Sequence, residues 1–261
     1  MRAHRVRGRT HPARTEHTRA DHIHIETGFA QMIPAEFSVM AQAIQELEPA
    51  VLIANSVAGQ RRVLNVGPSW GRDYYTLTQR GHQVFNLDIA LQTHLPQTIL
   101  ANVANAIPFS DQTFDAVLLP EVLEHIWNDF DALREARRVL KDDGRLVVTV
   151  PFYNDAPEYH VRVHSGKTIL RLLKANGFAP FDYVERGGLV SFPRVIHAAR
   201  KLFRLVGRED AFAEWVVRTD AWLGRRRLPL RRWLNGYGCV VVARKDRAVD
   251  YTQLNAIEFR H

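Results

Sequence analysis

Residues 63–90 read VLNVGPSWGRDYYTLTQRGHQVFNLDIA. Four apolar-leaning residues lead into a turn carrying Gly67 and Gly71, an amphipathic stretch follows, and a second short apolar run ends on Asp88. This is how a nucleotide-binding βαβ unit opens: a strand, a glycine loop that brings backbone N–H groups near a ligand, and a carboxylate at the end of the second strand where a ribose can donate to it. The loop is irregular. A dinucleotide fold usually shows G-x-G-x-x-G, whereas the spacing here is G-x-x-x-G, with Asn65 where an acid is common and Ser69 where a second glycine is common. Asp88 stands 21 residues after Gly67, and it does not by itself choose the nucleotide.

Outward from this unit, short β-branched runs alternate with amphipathic segments: QTILAN at 97–102, FDAVLLP at 114–120 and RLVVTVP at 145–151. The alternation predicts an α/β, Rossmann-like, doubly wound and mostly parallel sheet of seven strands, with YGCVVVARK at 237–245 as the last. Before RLVVTVP, Asn128 or Asp129 caps a helix whose buried side is traced by Phe130, Leu133, Ala136, Arg137 and Leu140 and which Asp143-Gly144 closes. A further helix runs from Lys167 to Asn176 with Ser165 as cap and Gly177 as stop. Its SGKT is not a phosphate loop, because Val161 stands where that motif requires glycine.

The expected organisation is a basic leader over 1–31, an N-terminal helical segment over 32–58, a core over 59–190, a basic helical insertion over 191–233 beside the mouth of the site, a final strand over 234–245 and a tail over 246–261. The leader carries Arg2, Arg5, Arg7, Arg9, Arg14 and Arg19 against Glu16 within its first 20 residues, too little apolar surface to offset ordering entropy. It reads as disordered, or as translation from upstream of a true start at Met32 or Met40. One cysteine in 261 residues, Cys239, excludes an intramolecular disulfide and points to a reducing compartment, with the cytoplasm as the expectation. No apolar run of membrane-spanning length appears. The insertion has eleven Arg or Lys against four Asp or Glu, interleaved with aromatic residues, a surface suited to a phosphorylated acceptor or to the inner face of an anionic membrane.

Residues 101–152 carry IPF at 107–109, TFDAV at 113–117, EVLEH at 121–125 and RVLKDDGRLVVTVP at 138–151. In order and spacing these resemble the class I S-adenosylmethionine-dependent methyltransferases, in particular the methyltransferase type 11 group, over about residues 60–185. The resemblance implies S-adenosylmethionine as cofactor, with Asn65, Gly67, Ser69 and Gly71 at its methionine part, Asp88 on the ribose, Ile89, Asn102 and Val103 around the adenine, and Pro120 and Glu121 beneath the sulfonium. Asn65 and Asn102 replace the family's usual acids. Each keeps a carbonyl acceptor without charge assistance, so weaker binding is expected and not its loss.

Methyl transfer from a sulfonium disperses charge, so the protein chiefly has to align the reactants in a water-poor pocket. A hydroxyl acceptor also has to lose a proton, and His125, His160 and Glu124 are the candidates for that work, with His164 nearby in sequence. Helical geometry would put Glu121, Glu124 and His125 on one face. Glu121, Glu124, His125 and His160 could together hold a hard divalent cation, but the reading assigns no metal. The favoured activity is O-methylation of a small molecule or saccharide, phosphate- or lipid-bearing in one version. Its alternatives are an RNA ribose 2′-O-methyltransferase, since EVLEH and the later histidine are similar to the small-RNA terminal 2′-O-methyltransferases, and a non-catalytic S-adenosylmethionine-binding protein.

Overall fold

A computed structural model describes residues 48–90, 95–152, 158–187, 193–208, 210–226 and 236–246. The leader, most of the N-terminal helical segment, the tail beyond Asp246 and Arg227 lie outside them. Helix α1 covers 48–56, and β1 (Arg62–Val66), α2 (Arg72–Gln79), β2 (Gln83–Asp88), β3 (Thr98–Leu100) and β4 (Phe114–Pro120) follow. Then come a 3-10 turn at Leu123–His125, α3 (Asp129–Val139), β5 (Leu140–Pro151), α4 (Gly166–Ala175), β6 (Phe178–Arg186), α5 (Pro193–Leu205), α6 (Asp210–Arg225) and β7 (Gly238–Lys245).

The sheet order is β3-β2-β1-β4-β5-β7-β6, with β7 antiparallel to both neighbours and the β1, β2, β3, β4 and β5 pairings parallel. Central strands read as near-continuous apolar runs because both faces are covered. Side chains leave a strand on alternate faces. Val117 and Leu119 of β4, Leu146 and Val148 of β5 and Val241 of β7 therefore join one core with α3 and α4, while Ala116, Leu118, Val147, Val240 and Val242 join the other with α1, α2 and Ala221 of α6. Leucine and valine layers of this kind contribute about 1.5–3 kcal/mol per buried side chain.

Three expectations are corrected in detail. Helix α3 ends at Val139, not at Asp143-Gly144, because Leu140 turns extended and pairs with Phe114, and the chain enters β5 through an irregularity in its register with β4. Its buried side is Ala132, Leu133, Ala136 and Val139, and Phe130 is exposed. Helix α4 begins at Gly166, one residue before the expected start, with the Ser165 hydroxyl accepting from the Thr168 N–H and the Thr168 hydroxyl bonding back to the Ser165 backbone.

The insertion is helical in its described residues, and none of these lines the cavity at the strand ends. Helix α6 lies on the sheet at β6: a Cβ at Gly224 would fall 2.3 Å from the Glu185 carbonyl oxygen, Asp220 accepts from the Gly187 N–H at 2.6 Å, and Arg225 pairs with Asp182 at 2.9 Å. Arg226 lies over the Trp222 ring. Ile196, Phe212 and Val216 hold α5 and α6 together, while Ala221 packs onto the sheet.

Candidate functional site

In an open α/β sheet, the crevice for a ligand forms where strand order reverses, outside the carboxyl ends of the strands. Here the reversal lies between β1 and β4, and a cavity of about 1000 Å³ opens there. The β1–α2 loop forms one wall with Gly67 and Ser69, the end of β2 brings Asp88 and Ile89, the residues after β3 bring Asn102 and Val103, and β4 ends on Pro120 and Glu121. His125 lines the cavity as well.

The loop geometry follows from sterics. Gly67 has φ 65° and its N–H donates to the Leu87 carbonyl, and a Cβ there would meet Val122 at 2.9 Å. Glycine is required at this position by both conformation and space. Gly71, with φ 87°, is a helix cap whose added Cβ would strike Leu95 at 2.5 Å; it does not line the cavity.

Asn65 does not line it either. The residue is 0% exposed, and its amide Nδ2 donates to Asn86 Oδ1 on the adjacent strand at 3.2 Å, while the Asn86 amide donates to the Pro96 carbonyl. The asparagine that replaces an acid thus belongs to a cross-strand amide pair inside the sheet. Asn102 does line the cavity, and its side-chain carbonyl accepts from the Ala104 N–H at 2.9 Å, which leaves one lone pair of that oxygen to face a ligand. Asp88 accepts from the Ala90 N–H at 3.0 Å.

Glu121 does not share a helical face with Glu124 and His125. Its φ of 54° breaks the chain direction ahead of the 3-10 turn, and its carboxylate accepts from Arg186 at 2.6 Å and from the Thr149 hydroxyl at 2.7 Å. Arg186 is 3% exposed, lies over the Tyr237 ring, and belongs to a buried group that includes Glu48 and Asp220. The Tyr237 hydroxyl donates to Glu48. Burial first and the neighbouring Asp220 charge second push the Glu48 carboxyl up to about 8.

Behind His125, the structure brings together Glu124 and His160, which the cavity itself does not reach. The Val161 and Arg162 N–H groups donate to the Glu124 carbonyl at 2.8 and 3.3 Å, the Arg162 guanidinium reaches the Trp127 carbonyl at 2.9 Å, and its Nε lies 3.1 Å from Asp129. These contacts fasten the stretch after β5 onto the stretch after β4, so that the His125 and His160 rings meet edge to face at 4.7 Å and Tyr159 stacks on His125. Burial, then the Glu121 charge, push the Glu124 carboxyl up to about 8. Burial, then the adjacent His125, lower the His160 pKa, keeping that imidazole neutral near pH 7. His164 is buried and stands outside the group.

Sequence reading missed Trp70 and Trp127, which line the cavity while 81% and 73% exposed, and also Arg72 and Asp73, joined by two hydrogen bonds at 2.9 and 3.0 Å. The available signal was an aromatic residue in each of the two loops that carry motif residues.

Residues 64–148 match the family model described as a methyltransferase domain. An uncharacterized protein of Methanocaldococcus jannaschii, MJ0638, is 41% identical over 93 residues, 34% of this chain and 40% of that protein. The demethylmenaquinone methyltransferase of Tropheryma whipplei is 36% identical over 101 residues, 35% of this chain and 42% of that enzyme. The chain thus spans about two fifths of the length of these curated relatives. Among solved structures, the [4+2]-cyclase SpnF superposes with a TM-score of 0.51 at 20% identity, covering 76% of this chain and 79% of that one, a likeness of fold alone. Residues 64–148, about a third of the chain, thus match a methyltransferase domain, and they lie on a sheet of doubly wound order.

Proposed function

We propose that the protein transfers a methyl group from S-adenosylmethionine to a hydroxyl of a small molecule or saccharide. The observation that carries this reading is one cavity lined by both Asp88 and His125, the latter with Glu124 and His160 behind it. The residues present fit the cofactor: a carboxylate at the end of β2 for paired ribose hydroxyls, Ile89 and Val103 as apolar flanks for a base, and a left-handed glycine at position 67 that keeps side-chain bulk out of the loop. When bound, S-adenosylmethionine supplies a methyl carbon on a positively charged sulfur. Pro120 ends β4 and Glu121 follows it on the cavity lining, Trp70 and Trp127 flank the mouth, and His125, which lines the cavity with His160 against it, is read as the group that takes a hydroxyl proton.

Asp88→Ala tests the cofactor side. Loss of a ribose contact should weaken S-adenosylmethionine at least tenfold, about 1.4 kcal/mol, by calorimetry, with the melting temperature little changed. Unchanged affinity would remove Asp88 from the site. The acceptor side is read by incubating the protein with cofactor and panels of hydroxyl and amine acceptors and locating the added methyl by mass spectrometry. Transfer to nitrogen alone would refute the O-methylation reading.

Helix α5 adds a place of action, the surface of an anionic membrane. Val195, Leu202, Leu205 and Val206 form an exposed apolar stripe, and Arg200, Lys201, Arg204 and Arg208 accompany it with no acidic residue between 193 and 208. Sedimentation with vesicles containing anionic lipid is expected at low salt, with loss of at least half the bound fraction in Leu202→Glu/Leu205→Glu. If the unaltered chain stays in the supernatant, α5 is no membrane helix.

A further inference from the structure

We propose that Glu124, His125 and His160 form a binding site for one divalent transition-metal ion of the zinc type. One ligand atom from each of the three lies within 4.8 Å of the others, and no other such group is found among the described residues. Three features beyond proximity point to an ion.

The first is a polar atom without a partner. Glu124 is 2% exposed, and its Oε2 is buried with no hydrogen bond. A buried carboxylate oxygen left in this state costs free energy unless something positive meets it.

The second is the orientation of His125. Its Nδ1 lies 3.3 Å from the Tyr159 carbonyl oxygen, which can only accept, so Nδ1 carries the hydrogen and Nε2 presents its lone pair. That Nε2 is the atom turned to Glu124, at 4.0 Å from Oε1. An imidazole fixed through one nitrogen by a backbone carbonyl, with the other nitrogen free for a cation, is the arrangement that supports metal-ligating histidines.

The third is the anchoring of the set. Hydrogen bonds from Val161 and Arg162 to the Glu124 carbonyl hold His160 in register with Glu124 through the backbone. Bonds of about 2.0–2.1 Å to a tetrahedral ion place ligands about 3.3 Å apart, so the trio has to contract by about an ångström.

The ligand set also selects the ion. Two imidazoles and one carboxylate, with a coordination position left open, suit zinc and its neighbours and disfavour magnesium or calcium, which require oxygen. A hard-cation site of four ligands is not what the fold builds, because Glu121 is engaged by Arg186 and Thr149. His125 lines the cavity, so the open position faces the acceptor side. There an ion held by the two histidines would take over from them the work of ionising a hydroxyl of the acceptor: the proton leaves to solvent, the oxygen bonds to the methyl carbon, and the carbon–sulfur bond breaks with its electron pair retained by sulfur. This role rests on the O-methylation reading, whereas the site does not.

The test uses the full chain stripped with chelator and titrated with Co²⁺ and with Zn²⁺. One tightly bound ion per chain is expected by elemental analysis after gel filtration, with the visible spectrum of four- or five-coordinate Co²⁺. His125→Ala and His160→Ala should each weaken that binding at least tenfold, while melting temperature and S-adenosylmethionine affinity identify any variant that fails to fold. Glu124→Gln, nearly isosteric, is the variant to use if either histidine change unfolds the chain. Equal binding by the folded variants and the unaltered chain would overturn the site and assign the ion to His4, His11, His17, His22 and His24 of the leader. Absence of a stoichiometric ion in the unaltered chain would overturn it as well. Binding at the trio with methyl transfer unchanged by stripping would keep the site and overturn its catalytic role.

Discussion

Arg186→Leu is expected to lower the unfolding free energy by about 3–5 kcal/mol, measured by urea titration at pH 7. Arg186 is nearly completely buried where β6 ends, and its Nη2 holds Glu121 at 2.6 Å while its charge also draws down the pKa of Glu48. Leucine leaves that volume apolar and strips the Glu121 carboxylate of its cation, whereas Glu48, which holds its proton at pH 7, has no charge to strand. The cost therefore comes from the charge left behind at Glu121 rather than from the hydrogen bond itself. Arg186→Leu combined with Glu121→Gln should recover part of the loss, since that charge is then gone. A loss under 1 kcal/mol would mean that the group is effectively solvated.

The second large effect is a pH dependence. Glu48 has a folded pKa of about 8 against an ordinary value of 4.5. Between these values the folded chain binds a proton that the unfolded chain has released, so stability is fully present below pH 4.5 and falls as pH rises through about 8. The slope from this one group is at most about 1.4 kcal/mol per pH unit. Asp220 adds to the shift, and Tyr237 and Arg186 oppose it. Glu48→Gln keeps an acceptor for the Tyr237 hydroxyl and removes the titration, so it should be more stable than the unaltered chain at pH 8 by a few kcal/mol and close to it at pH 5. Parallel urea midpoints for the two proteins across pH 5–8 would show that Glu48 is already ionised in the fold.

Central strands were legible in the sequence because they are buried on both faces. FDAVLLP has the bounds of β4 residue for residue, and the carboxyl end of β2 falls on Asp88. The sixth strand was required by the count but not located. FAPFDYVER lies at the edge of the sheet, mixes exposed and buried positions, and carries Pro180 at a shift in register. Chain reversal hid in the same way. A left-handed Glu121 follows from its partners Thr149 and Arg186, 28 and 65 residues away, and no local pattern announces it.

The cofactor side was the more readable half of the site, since strand ends fix Gly67, Asp88, Asn102 and Glu121 directly. Asn65 and Gly71 failed as lining residues because a motif position does not reveal whether its side chain faces the ligand, the adjacent strand or the next helix. His160 could be placed beside His125 only through the contacts of Val161 and Arg162 with Glu124, which join segments about 36 residues apart in the chain. Trp70 and Trp127 belong to loops whose course no periodicity describes.

The borders of the sheet carry a consequence for behaviour in concentrated solution. One border is β3, only three residues long, and the other is β6, where Pro180 has no N–H to offer and α6 covers one face. A neighbouring chain seeking to extend the sheet finds either too short a template or an interrupted one. Colloidal resistance to strand-by-strand polymerisation is therefore built into the two outermost strands, independently of the net charge of +7 that keeps molecules apart at low ionic strength.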